Sequence, residues 1–211
     1  MLRSTHVNDL EIDNLPNRLT ILRMLMIPVV VLALYFIQYP EQGTGTIPQW
    51  VLGHLAAWTF VAASITDWLD GWIARRRNIV TVFGSFLDPI ADKFLVVSAL
   101  IMLAAMNRVH SIVVIILVVR EMYMTSLRLL ALNEGVTLPV SAGGKWKTGF
   151  QMTAIPMLMV GYRWIKVPWY EIGTVCIWIA GCLSLFSAIA YSLDLVRALK
   201  AKRQERKQRT P

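Results

Sequence analysis

Charge is scarce in this chain. Only 16% of its 211 residues are Asp, Glu, Lys or Arg, while 56% are hydrophobic, against about 25% and 45–50% in an ordinary soluble domain. With the apolar residues laid out in long blocks, that shortage excludes a disordered chain and a typical water-soluble enzyme. Cysteine is scarcer still. Cys176 and Cys182 are the only two, too few for a secreted disulfide scaffold. Six apart in an apolar run, they fall on different helix faces and suggest buried packing, not a metal pair or a disulfide. The three histidines, His6, His54 and His110, have no ligand spacing. Nor does the chain open on a short charged stretch followed by an apolar core: residues 1–18 are polar, so no cleavable signal peptide is expected. Internal repeats are absent, and the basic tail is the single biased segment.

What the chain does have is six apolar blocks, each near the roughly 20 residues that cross a bilayer. They cover residues 19–36, 50–65 (continuing in helical register to 75), 83–106, 112–132, 146–162 and 169–193. The expected fold is therefore all-α, a polytopic membrane protein with about six transmembrane helices. Residues 1–199 would form one six-helix membrane domain with a polar N-terminal segment, 1–18, and residues 200–211 a basic tail. The net charge of +8 sits mostly at the two ends and in a few short loops, which marks a membrane side and does not suggest a nucleic-acid partner. Six spans put both termini on one side. That side carries Arg3, Arg18, Arg75, Arg76, Arg77, Lys145, Lys147 and the tail, while the opposite loops hold only Arg108, Arg163 and Lys166. The rich side should be cytoplasmic. The tail can serve as a surface for anionic membrane lipids, at about 1 kcal/mol per basic side chain, a reading compatible with a disordered topogenic segment.

Four of the thirteen acidic residues lie between positions 67 and 92, and each carboxylate left unpartnered in a membrane would cost several kcal/mol. Asp67 and Asp70 are spaced i, i+3, and Asp88 and Asp92 i, i+4, so each pair shares a helix face. Asp67 lies eight residues before Arg75 and Asp92 nine after Phe83, about 12–14 Å into each helix. The short link between them makes the helices antiparallel neighbours, so the two pairs meet just inside the cytoplasmic surface. Salt bridges to Arg75, Arg76, Arg77 and Lys93 account for one or two of these acids, not four on matched faces. A cation or proton pathway is the rival from another class, but transporter sites lie near the midplane, often in related halves. Hard oxygen ligands favour Mg²⁺ or Mn²⁺, and four suit two divalent ions about 3.5–4 Å apart, the arrangement of phosphoryl-group chemistry. Gly71, Ala74, Gly84 and Ser85 are small beside the site, leaving room for a bulky ligand or for close helix packing.

The string Asp67-x2-Asp70-Gly71-x2-Ala74-Arg75-x8-Gly84-x3-Asp88-x3-Asp92 resembles the complete signature of the CDP-alcohol phosphatidyltransferases, with no departure from the pattern. The resemblance extends over essentially the whole chain. It implies a six-helix, typically homodimeric enzyme of a bacterial-type inner membrane, with its active site facing the cytoplasm. Such an enzyme transfers a phosphatidyl group from CDP-diacylglycerol to an alcohol and releases CMP. By the same resemblance Asp67, Asp70 and Asp88 would hold one metal, and Asp67, Asp88 and Asp92 a second. Asp92 would also take the proton of the acceptor hydroxyl. Gly71, Ala74, Gly84 and Ser85, with Arg75, would form the CDP-diacylglycerol site.

The remaining charges speak to the acceptor. Arg120, Arg128, Lys145 and Lys147 fall towards the cytoplasmic halves of spans four and five, with Arg120 and Arg128 two turns apart and nearly cofacial. Glu121 can partner one of them, but four bases against one acid leave a surplus that suits a phosphate-bearing alcohol. The strings Asn17-x2-Thr20-x2-Arg23-x4-Pro28, Arg120-Glu121 and Gly144-Lys145-x-Lys147-Thr148 resemble the phosphatidylglycerophosphate synthase branch of the family, which uses sn-glycerol 3-phosphate. That branch implies acceptor contacts from Thr20, Arg120, Lys145 and Lys147, with Arg128 added. Cardiolipin synthases and phosphatidylinositol-phosphate synthases of the same fold are the neighbouring readings.

Overall fold

In a computed structural model, six α-helices account for nearly all of the described residues, 15–42, 47–77, 82–136, 142–161, 163–164 and 167–209. These are α1 (Leu15–Gln38), α2 (Gln49–Arg77), α3 (Val82–Ala105), α4 (Ser111–Asn133), α5 (Ala142–Val160) and α6 (Trp169–Arg209). Each apolar block of the sequence thus becomes one helix. A single 3-10 turn, Pro40–Gln42, follows α1, and a two-residue antiparallel hairpin, Arg163–Trp164 with Val167–Pro168, precedes α6.

The chain divides into two units, residues 1–106 with 159–161, and residues 107–158 with 162–211. In the first, α1 packs against both α2 and α3. Its 24 residues span about 36 Å at 1.5 Å per residue, enough to cross a hydrocarbon core of about 30 Å. Pro28 lies within it without ending it. The inward stripe of α1 reads Thr20, Arg23, Val30, Ala33, Leu34 and Ile37, while Leu22, Leu25, Val29 and Leu32 face outward. The two polar residues are therefore inside and the bulky apolar ones outside, the distribution expected where the solvent is lipid and not water. On α2 the buried stripe is Leu52, Ala56, Phe60 and Ala63, about one residue per turn, alternating large and small. A Cβ on Gly53 would stand 3.0 Å from the Met159 carbonyl oxygen, so the end of α5 lies directly on α2. Gln38 Nε2 donates to the Ala105 carbonyl at 3.0 Å, tying the end of α1 to the end of α3.

In the second unit α4 packs on α6 through Met124, Ala131, Ala188, Tyr191 and Leu195, extended by Leu127, Val136 and Leu199. His110 caps the N-terminus of α4, its ring nitrogen accepting from the Ile112 amide at 3.3 Å. The C-terminus closes in a Schellman motif. The Val136 amide donates to Ala131 O at 2.8 Å and the Gly135 amide to Leu132 O at 2.9 Å, with Gly135 at φ +60°, where a Cβ would be strained. Lys202 Nζ donates to the neighbouring Glu134 carbonyl, so α6 also serves the end of α4.

Two described helices, Leu19–Gln38 and Trp169–Gln204, are long and apolar enough to cross a membrane, and the chain is membrane-associated. Two details depart from expectation. At 41 residues, about 61 Å, α6 runs on through the basic tail instead of stopping near residue 193. Lys, Arg, Gln, Glu and Ala are strong helix formers, and an established helix extends into such residues cheaply. Cys182 is exposed and Cys176 half-buried, both as free thiols. Buried packing was expected for both, but a thiol is a small hydrophobe and sits as well on an outward face that meets lipid.

Candidate active site

Asp67 and Asp92 occupy matching positions on their helices. Each is ten residues from the helix end that faces the intervening link, Arg77 for α2 and Val82 for α3, or about 15 Å along the axis. Both side chains are half-buried. Asp70 and Asp88 lie on the same two helices, one turn from Asp67 and Asp92 respectively. Their side chains, and the expectations placed on Gly71, Ala74, Arg75, Gly84, Ser85 and Lys145, lie outside the described residues. Among the described residues no three acids, histidines or cysteines converge. The donor chemistry still suits a hard divalent ion, because residues 67–92 contain four carboxylates and neither histidine nor cysteine.

The Asp67 carboxylate has a partner that local spacing does not reveal. Arg23 Nη1 lies 2.5 Å from Asp67 Oδ1, with the arginine side chain fully buried and the aspartate 43% exposed. The sequence offers Arg75, Arg76, Arg77 and Lys93 as the near cations, whereas the structure supplies one from α1. Thr20, also buried, stands one turn before Arg23 on the same inward stripe. One sign of this arrangement was legible: Arg23 is the only charged residue within residues 19–36, and a permanent charge at that depth requires an acid.

The second unit gathers the basic residues. Arg120 is buried, and its Nη2 donates to Ser187 Oγ at 2.8 Å and its Nε to the Ser184 carbonyl at 3.3 Å. Its Nη1 lies 3.3 Å from Glu121 Oε2. The same oxygen receives Lys147 Nζ at 2.8 Å, and the lysine side chain is also buried. One carboxylate oxygen thus serves two cations carried by different helices, α4 and α5. Glu121 was expected to partner one base; it partners two. Ser184 and Ser187 were not singled out from sequence, although two serines three apart on an apolar helix are a sign of interhelical polar contact. Arg128, two turns on from Arg120, is exposed and does not join them. Beside Arg120, an apolar groove of about 500 Å³ runs between α4 and α6, lined by Ile115, Val119, Tyr123, Leu185 and Ile189.

Chemically, the first unit offers carboxylates able to hold hard cations and to accept a proton. The second offers paired, pre-oriented cations suited to a phosphate. Comparison with known proteins gives the family. The profile of the CDP-alcohol phosphatidyltransferases matches residues 13–186. The chain is 38% identical to the CDP-diacylglycerol–glycerol-3-phosphate 3-phosphatidyltransferase of Rickettsia felis, over 84% of this chain and 93% of that protein. It is 36% identical to the Bacillus subtilis protein of that name, over 89% of this chain and 97% of the other. The protein of that name from Haemophilus influenzae is also 36% identical, over 84% of this chain and 91% of the relative.

Proposed function

Because the chain belongs to the CDP-alcohol phosphatidyltransferase family, we propose that it transfers the phosphatidyl group of CDP-diacylglycerol to sn-glycerol 3-phosphate, giving phosphatidylglycerophosphate and CMP. The observation that carries the choice of acceptor is the buried Arg120–Glu121–Lys147 cluster, in a chain whose relatives of that name match it nearly end to end. Glu121 sets one negative charge against two buried cations, and an acceptor bearing a phosphate supplies the further anion that serine does not.

Asp67, Asp70, Asp88 and Asp92 would hold two divalent ions, Mg²⁺ or Mn²⁺, which when bound neutralise the diphosphate and the leaving CMP. Asp92 takes the proton from the acceptor hydroxyl. The freed oxygen forms a bond to the phosphorus that carries diacylglycerol, and the bond from that phosphorus to the CMP oxygen breaks. Arg120, Lys145 and Lys147, with Thr20, bind the acceptor phosphate and fix the direction of attack, while Arg128 on the exposed face of α4 adds attraction at longer range. Gly71, Ala74, Gly84 and Ser85 leave space for the nucleotide, beside Arg75.

In this reading six spans leave both termini cytoplasmic, and the chemistry runs at the inner leaflet of a bacterial-type cytoplasmic membrane, where the acyl tails of the donor already reside. The working unit in this reading is a homodimer of the 1–199 membrane domain, and the basic end of α6 rests against anionic lipid. The test is CMP release by detergent-purified protein with CDP-diacylglycerol and Mg²⁺, offering sn-glycerol 3-phosphate, phosphatidylglycerol, inositol 1-phosphate or serine in separate reactions. Release confined to sn-glycerol 3-phosphate is expected. Release with another acceptor instead would overturn the reading of the basic cluster while leaving the family chemistry intact.

A further inference from the structure

We infer that Arg23 is a positioning residue for the metal site: from α1 it holds one oxygen of Asp67, so that the rest of that carboxylate is presented to a divalent ion. The inference rests on the reading of Asp67 as a metal ligand. An arginine stays protonated at any working pH, and a fully buried one is kept only against an acid. Here the acid is the first aspartate of the signature, with Nη1 to Oδ1 at 2.5 Å. The two partners differ in burial. Arg23 is 0% exposed and Asp67 43% exposed, so the carboxylate is gripped from the protein side and left open on the other. Carboxylates that ligate metals are commonly oriented by an outer partner, here an ion pair to Arg23 Nη1, and losing such a partner costs about 10–100-fold in metal affinity.

Arg23 also supplies one positive charge among the acids before any ion arrives, which lowers the repulsion between them. These two contributions have opposite signs in metal binding. As a charge, Arg23 repels a divalent ion, and its removal would tighten binding. As an orienting group, its removal would loosen binding. Arg23→Lys keeps the charge and discards the rigid fork, so it isolates orientation.

The experiment measures Mn²⁺ binding to the full chain in detergent, from the loss of the electron paramagnetic resonance signal of free Mn²⁺. Wild type, Arg23→Lys, Arg23→Gln and Asp67→Asn are compared, each confirmed monodisperse. A rise of about tenfold or more in the Mn²⁺ dissociation constant is expected for Arg23→Lys, with Mn²⁺ at saturating concentration restoring most of its turnover. An unchanged or tighter dissociation constant in Arg23→Lys, with Asp67→Asn weakened, overturns the positioning role and leaves Arg23 as a structural counter-ion. An unchanged constant in Asp67→Asn overturns the metal reading beneath it. Where Arg23→Gln fails to fold, the lysine variant, which preserves the buried charge pair, carries the result.

Discussion

Among the described residues each unit of this protein buries one arginine in an apolar helix, and the two are satisfied in opposite ways. Arg23 meets a carboxylate, Asp67, in a segment already rich in acid. Arg120 is held by a backbone carbonyl and a serine hydroxyl, and shares its acid with Lys147. The segment that Arg23 meets carries four aspartates within residues 67–92, a donor set that suits a hard cation. Around Arg120 two cations converge on one oxygen, and the guest proposed for them is an anion. A buried charge in a membrane helix is thus read best from the company it keeps. In the proposed reading, the same residue type marks a metal-binding region in one unit and a phosphate-binding region in the other.

Removing an acid from the first region should have the largest effect. Asp92→Asn is expected to lower kcat by about 10²–10⁴-fold, the range for loss of a general base, and Asp88→Asn to abolish turnover, both in protein that still inserts and folds. CMP release by the purified variants measures this, and near-wild-type rates in either would break the assignment. Withdrawing the cation tests the same region without mutation. A chelator should stop turnover, and added Mg²⁺ or Mn²⁺ should restore it, whereas turnover that persists after exhaustive chelation contradicts the hard-ion site.

Changes in the second region should be smaller and selective. Arg120→Gln or Lys147→Ala is expected to raise KM for sn-glycerol 3-phosphate about 10–100-fold, from about 1.5–3 kcal/mol for a hydrogen bond to a charged group. KM for CDP-diacylglycerol should change less, and the same split is expected of Lys145→Ala. Equal rises for both substrates would merge the two regions into one function. Ser187→Ala removes a single donor-positioning contact and should raise the acceptor KM about fivefold, near 1 kcal/mol. Gly135→Ala is the control outside both regions. It forces a Cβ into the left-handed cap of α4 and should cost about 1 kcal/mol of stability, read as a lower Tm, with both KM values unchanged.

The six helices were legible because a bilayer imposes one simple rule, an apolar block of fixed length, and each block became a helix. The overrun of α6 was not, because that rule ends at the membrane surface while helix propensity continues through Lys200, Lys202 and Arg203. Within the site, the spacing of the four aspartates was readable since it is local to two helices. The pairing of Arg23 with Asp67 was not, because the residues are 44 apart in sequence and meet only when α1 packs on α2. Arg120 and Lys147 were legible as bases in apolar surroundings. That one glutamate oxygen joins them, and that Ser184 and Ser187 steady the guanidinium from α6, required the packed bundle.

The most direct measurement follows the acceptor itself. Purified protein is given radiolabelled sn-glycerol 3-phosphate, CDP-diacylglycerol and Mg²⁺, and label in organic-extractable lipid is compared with CMP released. The account predicts label entering an acidic phospholipid in a one-to-one ratio with CMP, and neither appearing in Asp92→Asn. CMP release with the label left in the aqueous phase would contradict it, since the chain would then cleave the donor without transferring the phosphatidyl group to this acceptor.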